Sequence, residues 1–522
     1  PTRLIHYEGD REGETTDVYS VMYATLDDLR NLTTDRTDRA LVQCEFAFAI
    51  GNGPGGLKEY IDLFRSDPLL QGGFVWEWCN HGLLSTTAAG VEFYAYGGDF
   101  GDEPNDGDFK LDGLVASDHS PAIGLLEYKS VIAPVTVTWS GDGESLELRS
   151  FYDFSELTQV LSCFWSLTDE TGTTHTTELT FPPVAPGGSL TIPSPVDRNG
   201  FYKPSWLNLS FCLKNDVLWA DKGHEVAYVQ LSLPVSEPHP IVPALQQGLT
   251  TVHQKQSRLI ITSQTHNTEF TLDLVRGNLR WMSKENVVWE TGPELNIYRA
   301  LTQNDQGVTG DGLHWEKFRF NMLQTHVQKV SWDCSSESSA TTVTVEVRVA
   351  PPVLDWAVNV SITYTLYGEG VDIHVNGDFT GHHPTTVPRL GLAMTLSEDF
   401  DQCVWFGRGP NESYKDKKES SRFGVHSRLI EDMSTPYEYP QENGNRTDTT
   451  WVELRSQSAG TVLRTTMPFP FNFTVSHNSM KELDAARHPH ELHPAEQSYL
   501  YVDYDHHGLG SAGVGPTPWP QH

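Results

Sequence analysis

Positive charge is sparse in this chain: 36 Lys and Arg stand against 69 Asp and Glu, a formal net charge of −33 over 522 residues. So acidic a chain repels a phosphate backbone or an anionic bilayer, which argues against nucleic acid and membrane as partners. A neutral ligand such as a sugar is compatible with that charge. Cysteine is also sparse. The six, at positions 44, 79, 163, 212, 334 and 403, include no Cys-x-x-Cys pair, so neither a zinc site nor a disulfide scaffold is indicated. No apolar run approaches the roughly 20 residues of a membrane span. The opening Pro1-Thr2-Arg3-Leu4-Ile5-His6 has neither an initiator Met nor a signal-peptide pattern, so the chain reads as part of something longer. Cytoplasm is the expected compartment.

What the chain does have is aromatic, Gly and Pro content: 11% aromatics with 14 Trp, 43 Gly and 31 Pro. That suits a turn-rich β protein with flat surfaces for CH stacking. Its length implies two to four domains.

Residues 1–120 alternate strand and helix signals. Leu4–Tyr7, Val18–Tyr23, Ala40–Cys44 and Gly73–Trp78 read as strands. Thr25-Leu26-Asp27-Asp28 carries a capping-box pattern, with Leu26 and Leu29 on one face. Leu57, Tyr60, Ile61 and Phe64 follow the i, i+3, i+4, i+7 rule of an amphipathic helix, which Pro68 and Gly72-Gly73 stop. This βαβα order predicts a parallel sheet, yet only three or four units are present. They form either a small open sheet or part of a barrel that begins upstream of Pro1. From about Val131 the pattern turns to short β runs (Val135–Trp139, Ser145–Phe154, Val160–Leu167), which predict a β-sandwich. The four prolines between Pro234 and Pro243 mark a linker. Beyond Gly248, alternation such as Val343, Val345, Val347 and Val349 predicts a larger antiparallel sandwich.

Several residues could carry chemistry. Glu45 ends an apolar strand before the Gly-rich turn 51–56, where a carboxylate can be a nucleophile or half of a structural salt bridge. Trp76 and Trp78 share one strand face by the period of two, and either pack in a core or offer a ring to a pyranose. Tyr23 ends another strand, in packing or in catalysis. The acidic loop 105–112 offers oxygen ligands for a hard cation, or is simply solvated. The His pieces His488-Pro489-His490 with His493, and His506-His507, lack regular zinc spacing and read as surface loops.

Cys44-Glu45-Phe46-Ala47, Gln71-Gly72-Gly73-Phe74-Val75-Trp76-Glu77-Trp78 and Tyr96-Gly97-Gly98-Asp99-Phe100-Gly101-Asp102 with Pro104-Asn105-Asp106 resemble the family-two glycoside hydrolases, specifically the large lactose-cleaving β-galactosidases. Downstream, Arg299-Ala300 with Asn304-Asp305, Trp405-Phe406-Gly407 with Gly409-Pro410 and Glu412, and Thr435-Pro436-Tyr437 with Glu442-Asn443-Gly444 resemble motifs of that family's small-chain domain. The resemblance implies a multidomain α/β plus all-β protein. The C-terminal part of a (β/α)8 barrel would occupy residues 1–125 and an immunoglobulin-like β-sandwich 126–234. A linker at 235–247 and the small-chain β-sandwich at 248–522 would follow.

The same resemblance implies retaining hydrolysis of terminal β-D-galactosides, with Glu45 as nucleophile assisted by Tyr23. Phe46, Phe48, Trp76 and Asp112 would contact the sugar. The Phe109 carbonyl and Asp112 would hold a monovalent cation, Na⁺ or K⁺, and Asn105 would lie near a secondary Mg²⁺. The family's acid/base Glu and main Mg²⁺ ligands match nothing in these residues, so the chain alone is expected to be inactive. Phe48 stands where many members have a sugar-contacting His, and Asp112 where Asn is common. The residues 508–515 lack a Trp that some members carry, and the final sandwich is expected to leave an unpaired edge. A homo-oligomer is expected of the whole enzyme. Two rivals remain. One is another β-glycosidase such as a glucuronidase, which should show basic residues near the sugar. The other is a non-catalytic small-chain-like subunit or carbohydrate-binding module that complements a partner chain.

Overall fold

Thr25 starts the first helix as its pattern predicts: its hydroxyl accepts the N–H of Asp28 at 3.1 Å while the Asp28 carboxylate accepts the N–H of Thr25 at 3.1 Å. In the computed structural model, which describes residues 2–36, 38–141, 143–198, 200–235, 249–333 and 340–522, this helix (α1, Leu26–Asp35) links two parallel strands. They are β1 (Tyr19–Met22) and β2 (Leu41–Phe46), with Tyr19 opposite Leu41 and Met22 opposite Glu45. A second helix (α2, Leu57–Ser66) leads to β3 (Leu70–Val75), again parallel to β2. Leu29, Leu41, Phe46, Leu57, Tyr60 and Leu70 form the core between sheet and helices. Burying a side chain the size of Phe46 in this way contributes about 2–3 kcal/mol.

Three expectations for this region change. Leu4–Tyr7 forms no strand; a single bridge joins His6 to Val18. β3 stops at Val75, so Trp76 and Trp78 lie beyond the ladder and do not share a strand face. The helix α3 (Ile123–Val131) packs Val131 and Tyr128 into this first core, so a boundary at 125 would cut through a helix that belongs here.

Residues 135–233 form a β-sandwich. One sheet orders Ser189–Pro193, Ser145–Ser150 and Val135–Trp139; the other pairs Leu161–Asp169 with Ser205–Leu213 and the latter with Glu225–Leu233. Leu146, Leu148, Leu207, Leu209 and Phe211 meet between them by the alternation of in- and out-facing residues. The expected linker 235–247, apart from Val235, lies outside the described residues, as does Cys334.

The last part packs an eleven-stranded antiparallel sheet against a four-stranded one. The valines of Thr341–Ala350 are all buried and alternate with half-buried neighbours, as their spacing predicts, and they share one core with Leu259, Ile261, Trp289 and Phe473. The final strand, Tyr499–His506, lies in the middle of the large sheet between Arg389–Leu396 and Val462–Ser476. The sheet's edges are Thr251–Lys255 and Arg422–Leu429, so the sandwich has open edges, and the last strand lies inside the sheet rather than at either of them. Among the described residues no helix is long and apolar enough to cross a membrane.

Polar groups dock this sandwich onto the first unit. The buried carboxylate of Glu127 on α3 accepts the N–H groups of Lys418, Glu419 and Ser420 at 2.8–3.0 Å. The N–H groups of Gly55 and Gly56 donate to the carbonyls of Gly510 and Asp416, each at 2.8 Å, and the ring of Trp519 packs on Tyr60 of α2.

Candidate active site

The C-terminal ends of β1 and β2 turn away sharply: Tyr23 and Ala47 both take positive φ, 49° and 52°, which few residues other than Gly adopt. The turns bring the two strand ends together, with the Tyr23 N–H donating to the Glu45 carbonyl at 2.9 Å. Their side chains also meet. Burial, and then the charge and hydrogen bonding of the Glu45 carboxylate, hold the Tyr23 phenol well above its ordinary pKa. Tyr23 therefore stays protonated beside Glu45, an arrangement suited to steadying a carboxylate that acts as a nucleophile.

Around this pair the expected residues fall into two groups. Phe48 is fully buried, 6.3 Å from the Tyr23 ring and 5.3 Å from the Phe109 ring, centroid to centroid. Gly513, from the far end of the chain, presses on Phe48 so closely that a Cβ there would lie 2.5 Å from the ring. Trp76 is half-buried just past β3, its carbonyl accepting the N–H of Ala49 at 2.8 Å. The ammonium of Lys110 stands 5.9 Å from the Trp76 ring centre and 5.5 Å from that of Phe109. These residues line one region with Glu45. Phe46 does not: it points to the helix side, 5.3 Å from Tyr60 and 5.4 Å from Phe64, and is a core residue rather than a sugar contact. Alternation along β2 puts neighbours on opposite faces, so Glu45 and Phe46 cannot both face the site. Trp78 is 63% exposed and stands apart.

Asp112 is fully buried, and neither carboxylate oxygen has a hydrogen-bond partner. Burial first, then the charge of Glu77, push its pKa up to about 6. A buried carboxylate without donors is a strong demand for a cation. The residues present therefore fit a bound Na⁺ or K⁺. Asn105 fits Mg²⁺ poorly, because its carboxamide is engaged within its own turn: the oxygen accepts from Gly107 N at 3.0 Å and the NH2 donates to the Asp102 carbonyl at 2.9 Å. Among the described residues no group of three or more His, Cys, Asp or Glu is arranged to hold a metal.

His488 and His506 are buried rather than in surface loops, while His493 is exposed as expected. His488 is 6% exposed, its ring tilted against that of Tyr96 at 4.6 Å between centroids, with its Nε2 3.0 Å from Asp99. His506 is buried with its Nε2 3.5 Å from Glu442, and His507 lies 3.2 Å from Asp311. His488 lies where the large sandwich meets the Tyr96–Asp99 loop of the first unit, and His506 and His507 lie inside the sandwich, placements that their sequence spacing does not reveal.

Sequence reading also missed Asn52, Gln303 and Gln441. Asn52 is fully buried seven positions after Glu45. Its NH2 donates to the Glu442 carbonyl at 2.7 Å, and its oxygen accepts from Lys417 and Tyr437. The partners lie more than 360 positions away, so no local pattern could signal them.

Family models match the chain in three consecutive stretches. They are the family 2 glycosyl hydrolase TIM barrel domain at residues 1–137, β-galactosidase domain 4 at 146–234, and the β-galactosidase small chain at 264–522. Among individual proteins, a β-galactosidase of Kluyveromyces lactis is 34% identical over 100% of this chain and 50% of its own length. One from an Arthrobacter species is 31% identical over 92% of this chain and 48% of its own, and one from Priestia megaterium 30% over 98% and 49%. The chain thus spans about half the length of the curated relatives it matches. A β-D-mannosidase structure from Dictyoglomus thermophilum covers 61% of this chain and 28% of its own at 8% identity and a TM-score of 0.19, too low to carry any argument.

Proposed function

Because this chain belongs to the family-two glycoside hydrolases, where it corresponds to the C-terminal half of a β-galactosidase, we propose that it supplies the nucleophile and much of the sugar pocket for retaining hydrolysis of terminal β-D-galactosides. The parallel strands β1–β3 are then the last part of a (β/α)8 barrel, followed by an immunoglobulin-like sandwich and the small-chain sandwich.

The observation that carries the reading is the meeting of Glu45 with the protonated Tyr23 at one end of the sheet. In the proposed reaction a Glu45 oxygen bonds to the anomeric carbon as the bond to the leaving oxygen breaks. That oxygen takes a proton from a carboxylic acid. Water then attacks the same carbon, gives its proton to that carboxylate, and releases Glu45. Tyr23 holds the Glu45 carboxylate in line throughout. Trp76 offers its ring to the apolar face of galactose, while Phe48 and Phe109 form an apolar wall. Asp112 and the Phe109 carbonyl would hold Na⁺ or K⁺, which when bound supplies positive charge beside the sugar.

No residue of this chain matches the family's proton donor. The acid is therefore assigned to barrel segments beyond these 522 residues, and the chain by itself is inactive in this account. Whole-enzyme homo-oligomerisation and a cytoplasmic location are part of the same proposal.

The test is chemical rescue in the enzyme that carries this chain together with the rest of its barrel. Glu45→Gly should lose turnover of a nitrophenyl galactoside by about 10⁴-fold or more and regain it with azide, yielding an α-galactosyl azide. Full activity in that variant would refute the assignment.

A further inference from the structure

Gln441 is fully buried at the boundary between the large sandwich and the barrel segment, and its hydrogen bonds tie one residue of the barrel segment, Asn52, to two of its own sandwich, Gln303 and Tyr439. Its oxygen accepts the N–H of Asn52 at 3.0 Å and that of Gln303 at 3.1 Å. Its NH2 donates to the Gln303 side-chain oxygen and the Tyr439 carbonyl, both at 2.9 Å. Gln303, itself 4% exposed, extends the chain of amides: its NH2 donates to the Asp108 carboxylate at 2.5 Å and to the Asp108 carbonyl at 3.3 Å. Two neutral amides of one unit thus grip two loops of the other. One is the turn after β2, which begins from Glu45. The other carries Phe109 and Asp112.

The grip leaves no slack. A Cβ at Gly51 would lie 2.2 Å from the Gln303 oxygen and 2.4 Å from the Gln441 nitrogen, and Gly51 also has positive φ. Asn52 is held independently by Glu442, Lys417 and Tyr437. Asp108 is reached from the large sandwich through Gln303, by a charge-assisted bond of the stronger kind.

From this geometry we infer that Gln303, seated on Gln441, is a positioning residue for galactoside binding: through Asp108 it sets where Phe109 and Asp112 stand relative to Glu45. The inference rests on the function proposed above. It gives the small-chain sandwich a part in sugar recognition although Gln303 touches no substrate. Because a displacement of about 1 Å at a site can reduce rate by about 100-fold, a hydrogen bond one residue from the pocket wall at Phe109 has leverage.

The experiment uses Gln303→Leu and Gln303→Glu in the enzyme complete with its remaining barrel. For Gln303→Leu, KM for a nitrophenyl galactoside should rise about tenfold, with the inhibition constant of free galactose rising in step. The kcat should stay within about threefold and Tm within a few degrees. A purely structural role would instead lower Tm and leave KM unchanged. For Gln303→Glu, the introduced carboxyl repels Asp108 while ionised and can donate to it when protonated, so its KM defect should shrink as pH falls. If Gln303→Leu fails to fold, that pH profile decides alone.

A readout independent of turnover is amide hydrogen exchange over residues 105–112 in the substrate-free protein, which should quicken in Gln303→Leu. Unaltered exchange there, an unchanged KM, or a pH-independent defect in Gln303→Glu would overturn the inference. Failure of the function proposed above would show separately, as full turnover by Glu45→Gly, and would leave the exchange result standing on its own.

Discussion

The N–H of Tyr23 donates to the carbonyl of Glu45 at 2.9 Å, joining the end of β1 to the end of β2 where each strand turns away through a positive φ. The backbone clasp fixes the phenol beside the carboxylate. Removing only the hydroxyl then separates positioning from folding. Tyr23→Phe in the complete enzyme is expected to lower kcat about 10–100-fold, with KM changed less than about threefold. Its stability should fall by no more than about 1 kcal/mol, the net worth of one hydrogen bond. Steady-state kinetics and thermal unfolding of the same preparation check this.

Asp112 tests the cation. Its carboxyl is pushed up to about 6, above the ordinary value of 3.8, so protons compete with a cation within an accessible range. Above that pH the charged form is available to Na⁺ or K⁺; as pH falls through about 6 it is neutralised and the cation should bind more weakly. Asp112→Asn should remove this pH dependence, and Asp112→Leu should raise the half-activating Na⁺ concentration at least tenfold. Sodium titrations at pH 5, 6 and 7.5 read both effects.

Glu127 tests the docking of the sandwich. Its buried carboxylate accepts three consecutive backbone N–H groups, 418–420. Glu127→Ala leaves them unpaired and should destabilise by about 3 kcal/mol, read from the denaturation midpoint at unchanged slope. Glu127→Gln keeps an acceptor and should lose less.

His506 gives the chain an acid-side weakness. Burial first, then the charge of Arg389, lower its pKa to about 4 from an ordinary 6.5. An unfolded chain therefore binds a proton below about 6.5 that the folded chain takes up only near 4. Stability contributed by the neutral ring is complete above 6.5 and is lost as pH falls toward 4. The loss amounts to about 3 kcal/mol for a difference of that size. The stability of His506→Asn relative to the natural protein should rise over that interval; a flat difference would contradict the assignment.

Local chemistry was legible in the sequence, and long-range contact was not. The Thr25–Asp28 capping box, the α2 face with Leu57 and Tyr60 buried, and the alternating valines 343–349 all follow from periods of 3.6 and 2. The position of Glu45 at a strand end was legible too. The same period misled at Trp76 and Trp78, because β3 ends at Val75 and periodicity says nothing about where a ladder stops. It also leaves Phe46 on the face opposite Glu45, a consequence of alternation that a motif match passes over. The buried histidines 488 and 506 and the Gln303–Gln441 pair are polar residues made internal by partners far along the chain. Composition treats such residues as surface, and only tertiary structure reverses that.

Covalent trapping identifies the nucleophile directly. The complete enzyme, incubated with a 2-deoxy-2-fluorogalactosyl donor and digested, should yield a single peptide heavier by one fluorogalactosyl group, with fragmentation placing it on Glu45. The same sugar found on any other carboxylate, or no covalent adduct under conditions of full inactivation, would contradict it.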